Sequence, residues 1–257
     1  MVKGLAKFAE YFTEYQDQYV LIGGAATVLA LEEAGLEARA TKDLDIVLCV
    51  EALTPAFGER MWAFIREGEY ELNEQGPEPR RFYRFRKPKN PEFPVMLEFF
   101  AREPGFAPLA DGAHLTPVPI DEAVESLSAI LLDEGYYRFI HENKRVLEGV
   151  QVVNDRCLIP LKARAWLDLR DRKAGGEEID GKNITKHRND VLRLSQLLTP
   201  GAAITLAPSI TADMRRFVGE VSKELDTGLL KSLGLASTPD DLVGLLRGTF
   251  GLNDDDR

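Results

Sequence analysis

Gly23-Gly24 and Asp43-Leu44-Asp45 are the residues whose types and spacing suit chemistry. The glycine pair lies between the apolar run Tyr19-Val20-Leu21-Ile22 and an Ala- and Leu-rich stretch, the pattern of a strand that turns into a helix. Lacking a Cβ, glycine lets backbone N–H groups approach an anion closely, and the positive end of the following helix aims at the same place. The two aspartates enter a second apolar run, Ile46-Val47-Leu48-Cys49-Val50. Side chains two residues apart on a strand point the same way. Paired hard oxygens suit Mg2+, which is usually shared with substrate phosphates. The predicted chemistry is that of a nucleoside triphosphate (NTP) held together with a divalent cation.

Those residues need a sheet to hold them, and the rest of the chain supplies one. Thr54 caps an expected helix over 54–66, with Phe57, Met61, Trp62 and Ile65 on its apolar side and Gly68 as its stop. Strands are expected over 80–87 and 95–100, the second almost wholly apolar except for Glu98. Residues 115–120 read as an extended edge, 122–133 as a helix capped by Asp121, and 136–140 and 146–153 as a last pair of strands with Gly149 at a turn or bulge. Pro160 opens an expected helix over 161–173, a second follows over 182–198, and helical spacing resumes from Ala207 and again over 240–246. The predicted fold class is α+β. A mixed sheet flanked by helices fills residues 1–155, and an all-helical domain fills 156–257.

The succession of Gly-Gly, a helix and Asp-x-Asp in a strand resembles the DNA polymerase β-like nucleotidyltransferase superfamily. Within it, the chain is most similar to the AbiEii-type branch, related to abortive-infection toxins. The long gap between Gly24 and Asp43 suits that branch, where a basic and a hydroxyl residue, here Arg39 and Thr41, precede the aspartates. The resemblance implies that Asp43 and Asp45 bridge Mg2+ or Mn2+ and that Glu98, on a later strand beside theirs, completes a catalytic carboxylate set. Nucleotidyl transfer is an in-line displacement that two metal ions about 3.5–4 Å apart assist. A buried carboxylate is costly unless compensated, and a metal would offset that cost; the alternative is an edge-strand glutamate facing water.

Phosphates would then lie on the N–H groups of Gly23 and Gly24. Thr27 either adds a hydroxyl or simply faces the core, and Arg39 and Lys42 either reach the phosphates or solvate their loop. Later in the chain, Lys162 near one helix start and Lys186 with Asp190 on the next look like the branch's later motifs, which help bind the triphosphate. Here Asn189 stands directly before Asp190, a departure from the family pattern. The competing reading of Lys186 and Asp190 is an i,i+4 ion pair worth roughly 0.2–0.5 kcal/mol.

The formal net charge of −10 repels nucleic acid overall, so any such binding needs a local basic patch. Arg80, Arg81, Arg84 and Arg86, interleaved with Phe82, Tyr83 and Phe85, form the densest candidate. They suit an acceptor backbone and stacked bases, or equally a strand with a basic outer face. No apolar run approaches the roughly 20 residues of a membrane span. The amphipathic opening, 1–18, reads as a helix and not a signal peptide. Cys49 and Cys157 sit in apolar runs without metal-ligand neighbours, which predicts reduced, buried thiols and a cytoplasmic protein. The resemblance then implies transfer of a nucleoside monophosphate to an RNA, tRNA among them, or to a protein. The chain would act as the toxin of a toxin–antitoxin or phage-defence system, with an antitoxin partner. The alternative is an inactive nucleotide- or partner-binding module of the same fold.

Overall fold

Short β-branched and aromatic runs bounded by turns pair into one mixed sheet. The computed structural model describes residues 2–49, 51–71, 82–101 and 130–252. The expected edge over 115–120, Asp121 and most of the helix over 122–133 lie outside those residues. The chain divides into two compact units, Met1–Leu131 with His141–Asn154, and Leu132–Ile140 with Asp155–Arg257.

The first unit holds β1 (Tyr19–Ile22), β2 (Asp43–Leu48), β3 (Phe82–Arg86), β4 (Met96–Phe100), β5 (Lys144–Leu147) and β6 (Val150–Val153). Their order across the sheet is β3-β4-β2-β1-β6-β5. The pairs β3/β4, β2/β1 and β5/β6 are antiparallel, while β2/β4 and β1/β6 are parallel. Glu148 and Gly149 close the β5–β6 hairpin with φ of 51° and 75°, the twist a two-residue turn needs.

Period-2 alternation divides the sheet's faces. Leu44, Ile46, Leu48, Tyr83, Phe85, Leu97 and Phe99 share one face and are buried. Two helices supply aromatic neighbours to this side of the core: α1 (Leu5–Phe12) and α3 (Pro55–Glu67). Trp62 meets Phe85 edge-on at 5.7 Å, and Phe12 lies 5.5 Å from both Phe57 and Phe64. The helix α3 starts where the sequence says it should. Thr54 accepts the Phe57 N–H, Pro55 needs no N–H partner, and Gly68 caps the end.

The opposite face carries Asp43, Asp45, Glu98, Arg84 and Arg86. There α2 (Gly23–Glu33) begins, and its residues from Gly24 to Leu31 are all buried. A helix that is apolar all round belongs inside, which fixes its first turn firmly.

In the second unit, 136–140 is helical and not the strand its aromatics predict. It lies in α4 (Glu134–Glu142), where Tyr136, Tyr137 and Ile140 share a buried side. The Asp133 carboxylate accepts the Tyr136 N–H at 3.0 Å, a cap that outweighs the β propensity of Tyr-Tyr-Arg-Phe-Ile. Next come α5 (Asp155–Ala174), α6 (Gly181–Leu194), α7 (Pro208–Val221), α8 (Thr227–Ser232) and α9 (Pro239–Thr249), with no strand after Val153 among the described residues. Pro160 lies inside α5 instead of opening it, early enough that few backbone bonds are lost. Trp166 of α5 meets Phe217 of α7 at 5.2 Å and carries Arg170 over its ring. No helix among the described residues is long and apolar enough to cross a membrane.

Phe12 is fully buried among Phe8, Tyr19, Phe57 and Phe64. Phe12→Ala is expected to cost about 3–5 kcal/mol in urea unfolding. A loss below about 1 kcal/mol would show that the aromatic cluster does not hold the sheet to its helices.

Candidate functional site

The site is built on three adjacent strands and one helix start. Because β2 runs parallel to β4, Asp45 lies directly beside Glu98, while Asp43 is opposite Met96. Because β3 runs antiparallel to β4, Arg84 lies directly beside Glu98 on its other flank. Arg84, Glu98 and Asp45 therefore form one row across the sheet. The row continues to α2, where the Gly24 N–H donates to Asp45 Oδ2 at 3.1 Å. Ile22 offers no side-chain cap, so the Asp45 carboxylate, borrowed from the next strand, caps the helix and meets its positive end. A Cβ on Gly23 would lie 1.7 Å from Asp45 Oδ2, and Gly23 has φ +64°. Glycine is required there by both space and conformation. Beside Gly24 stands the Thr41 side chain, whose Oγ1 would be 2.9 Å from an added Cβ.

Glu98 is the unusual member. It is 7% exposed, and its Oε1 accepts Arg84 Nε at 2.6 Å and Arg84 Nη2 as well. Burial first, then the charge of Asp45 and a hydrogen bond with it, push the Glu98 carboxyl up to about 9, against the pull of Arg84.

The other predicted residues are placed as follows. The Thr27 hydroxyl is buried and donates to the Gly23 carbonyl at 2.7 Å, so it faces the core and spends its proton within the helix. Arg39 and Lys42 are exposed in the connection between α2 and β2, Arg39 donating to the Ala40 carbonyl at 3.3 Å. Arg80 and Arg81 lie outside the described residues. Arg84 is no part of an outward basic face: its side chain is 4% exposed and turned to Glu98. Arg86 is half-buried. Beyond the strand, Lys87 and Lys89 are exposed but paired with Glu71 and Glu69.

In the helical unit, Lys162 of α5 and Asp190 of α6 come together. Nζ and Oδ2 are 2.9 Å apart, with side chains 5% and 4% exposed. Asp190 thus accepts a lysine of another helix, and the Lys162 ammonium is turned to that carboxylate. Lys186 is half-buried one turn earlier on α6.

Among the described residues, no group of three or more His, Cys, Asp or Glu side chains is arranged to hold a metal ion. Arg84 holds Oε1 of Glu98, and its fixed positive charge opposes a metal ion beside that carboxylate. As arranged, these residues do not fit the three-carboxylate centre implied by the resemblance. No family model matches the chain, and no curated protein or solved structure does.

Sequence reading named Arg84 only for a basic acceptor patch and missed its pairing with Glu98. Its role depends on strand register, which places it opposite Glu98 across a hairpin whose loop length cannot be read from composition.

Two outcomes follow. An unfolded chain releases the Glu98 proton above the ordinary value of 4.5, whereas the folded protein keeps it up to about 9. The folded state thus binds more protons in between, and stability contributed here falls as pH rises from about 4.5 to about 9. Urea midpoints across that range should show a slope that Glu98→Gln flattens; an unchanged slope would place the proton elsewhere. Lys162→Ala removes the buried ammonium that Asp190 accepts, which should cost about 3–5 kcal/mol in chemical denaturation. A change within about 0.5 kcal/mol would contradict the burial of the pair.

Proposed function

We propose that the α/β unit is a nucleotidyltransferase-type site that takes an NTP at the start of α2 and passes its nucleoside monophosphate to an acceptor hydroxyl. One observation carries this reading: Asp43, Asp45 and Glu98 stand on one face of neighbouring parallel strands, beside a Gly-Gly turn that opens a buried helix. The start of a helix attracts anions, and here Asp45 already holds the Gly24 N–H at that end. The partly exposed Asp43 and Asp45 border the same spot. The AbiEii-type resemblance supports the same conclusion and names the acceptor classes, an RNA or a protein, and a toxin role with an antitoxin partner.

A second reading has an observation of its own. The Arg84–Glu98 pair sets a fixed positive charge against the third carboxylate, as suits a module that binds a nucleotide or a partner without turning it over.

The decisive measurement incubates the protein with each α-labelled NTP, Mg2+ or Mn2+, and total cellular RNA and protein. Label on RNA or protein that Asp45→Asn abolishes supports transfer and identifies the acceptor class. Nucleotide binding in equilibrium dialysis without any labelled acceptor supports the binding module. Absence of both would remove the nucleotide from the account.

A further inference from the structure

Glu98 lies between two groups that make opposite demands on it. Asp45 adds negative charge on one flank, and Arg84 supplies a fixed positive charge on the other. The guanidinium contacts Oε1 through both Nε and Nη2, and neither side chain is more than a tenth exposed. An arginine is charged at every working pH, and a buried guanidinium separated from its carboxylate is expensive. A divalent cation and this guanidinium cannot both use the same oxygen, because like charges at that distance repel strongly in a dry environment.

We propose that Arg84 is a positioning residue that serves as the built-in cation of the carboxylate row, reserving Glu98 for itself and keeping it out of reach of a divalent metal. The proposal deepens the nucleotidyltransferase reading and rests on it for the identity of the site. It accounts for the disagreement between the metal implied by the resemblance and the arrangement of the side chains. It also gives Arg84 a reason to be buried on the polar face of the sheet. The order of events is then set by charge. The row is neutralised from within when no ligand is present, and only Asp43 and Asp45 meet an arriving cation. Glu98 becomes a ligand only if the guanidinium is removed.

The test is a double-mutant cycle with Mn2+ as the probe and no nucleotide present, read by the loss of the free Mn2+ electron paramagnetic resonance signal. In the wild-type protein, Glu98→Gln should change Mn2+ affinity by less than about twofold. Arg84→Gln should bind Mn2+ at least about tenfold more tightly than wild type, and the Arg84→Gln, Glu98→Gln double variant should lose that gain. Circular dichroism confirms that each variant is folded. A tenfold or greater loss of affinity in Glu98→Gln alone would overturn the proposal, since Glu98 would then already be a ligand. So would unchanged affinity in folded Arg84→Gln, a gain that survives in the double variant, or no Mn2+ binding by any of the proteins. If Arg84→Gln does not fold, the comparison of wild type with Glu98→Gln still decides. Nucleotide transfer is measured separately, so a protein that passes this cycle yet labels no acceptor would refute only the function proposed above.

Discussion

A guanidinium, two carboxyl groups and the start of a helix lie in one line across β3, β4, β2 and α2, and the polar face of the sheet depends on that line. Each member is joined to the next. Arg84 is buried because Glu98 receives it, and Asp45 accepts the Gly24 N–H in the first turn of α2, where Ile22 offers no side-chain cap. Moving any strand by one residue would turn the charged set towards the aromatic core and break every contact at once. The parallel β2–β4 register is therefore both a packing constraint and the constraint on chemistry.

The helical unit handles charge in a different way. Its buried Lys162–Asp190 pair joins α5 to α6, and a more exposed lattice joins those helices to α7. There Arg170 and Arg188 both reach Glu224, and Arg216 reaches Asp171 and Glu220. Exposed pairs of this kind contribute little one by one but gain when several share partners. The buried pair fixes a register between helices, since it needs Lys162 and Asp190 at one level. Charge in this unit holds helices together, whereas charge in the first unit is arranged around the glycine turn that Asp45 caps.

The local signals were readable because each has a local cause. The strand–glycine–helix turn, the Thr54 cap and the alternation that aligns Asp43 with Asp45 need only neighbours in sequence. So did the placement of Glu98 on an apolar strand, though not what would touch it. What sequence could not disclose were the partners brought together at a distance: Arg84 with Glu98, and Lys162 with Asp190 where an i,i+4 neighbour was the obvious candidate. The segment 136–140 failed for a related reason. Its residues favour strands, but Asp133 caps it and its apolar positions suit a helix packed on one side. The helical start before Pro160 was hidden because proline usually marks a first turn, and here the turn had already been made.

The parallel pairing of β1 with β6 has a consequence for how the chain comes to be folded. Leu21 meets Val152, so the first strand made is neighboured by the last, with the other four strands and most of the first unit's chain between them. Loop-closure entropy must be spent before that contact gives anything back. During synthesis β1 can pair with β2 as soon as both emerge, but its other edge stays open until the β5–β6 hairpin arrives. The Glu148-Gly149 turn lets that hairpin form quickly by itself, so closure of the sheet becomes one docking event at the end of the first unit's synthesis. Until then the nascent protein exposes a row of unpaired amides beside its most apolar strand, and this is the interval in which a chaperone, or another copy of the chain, would find it.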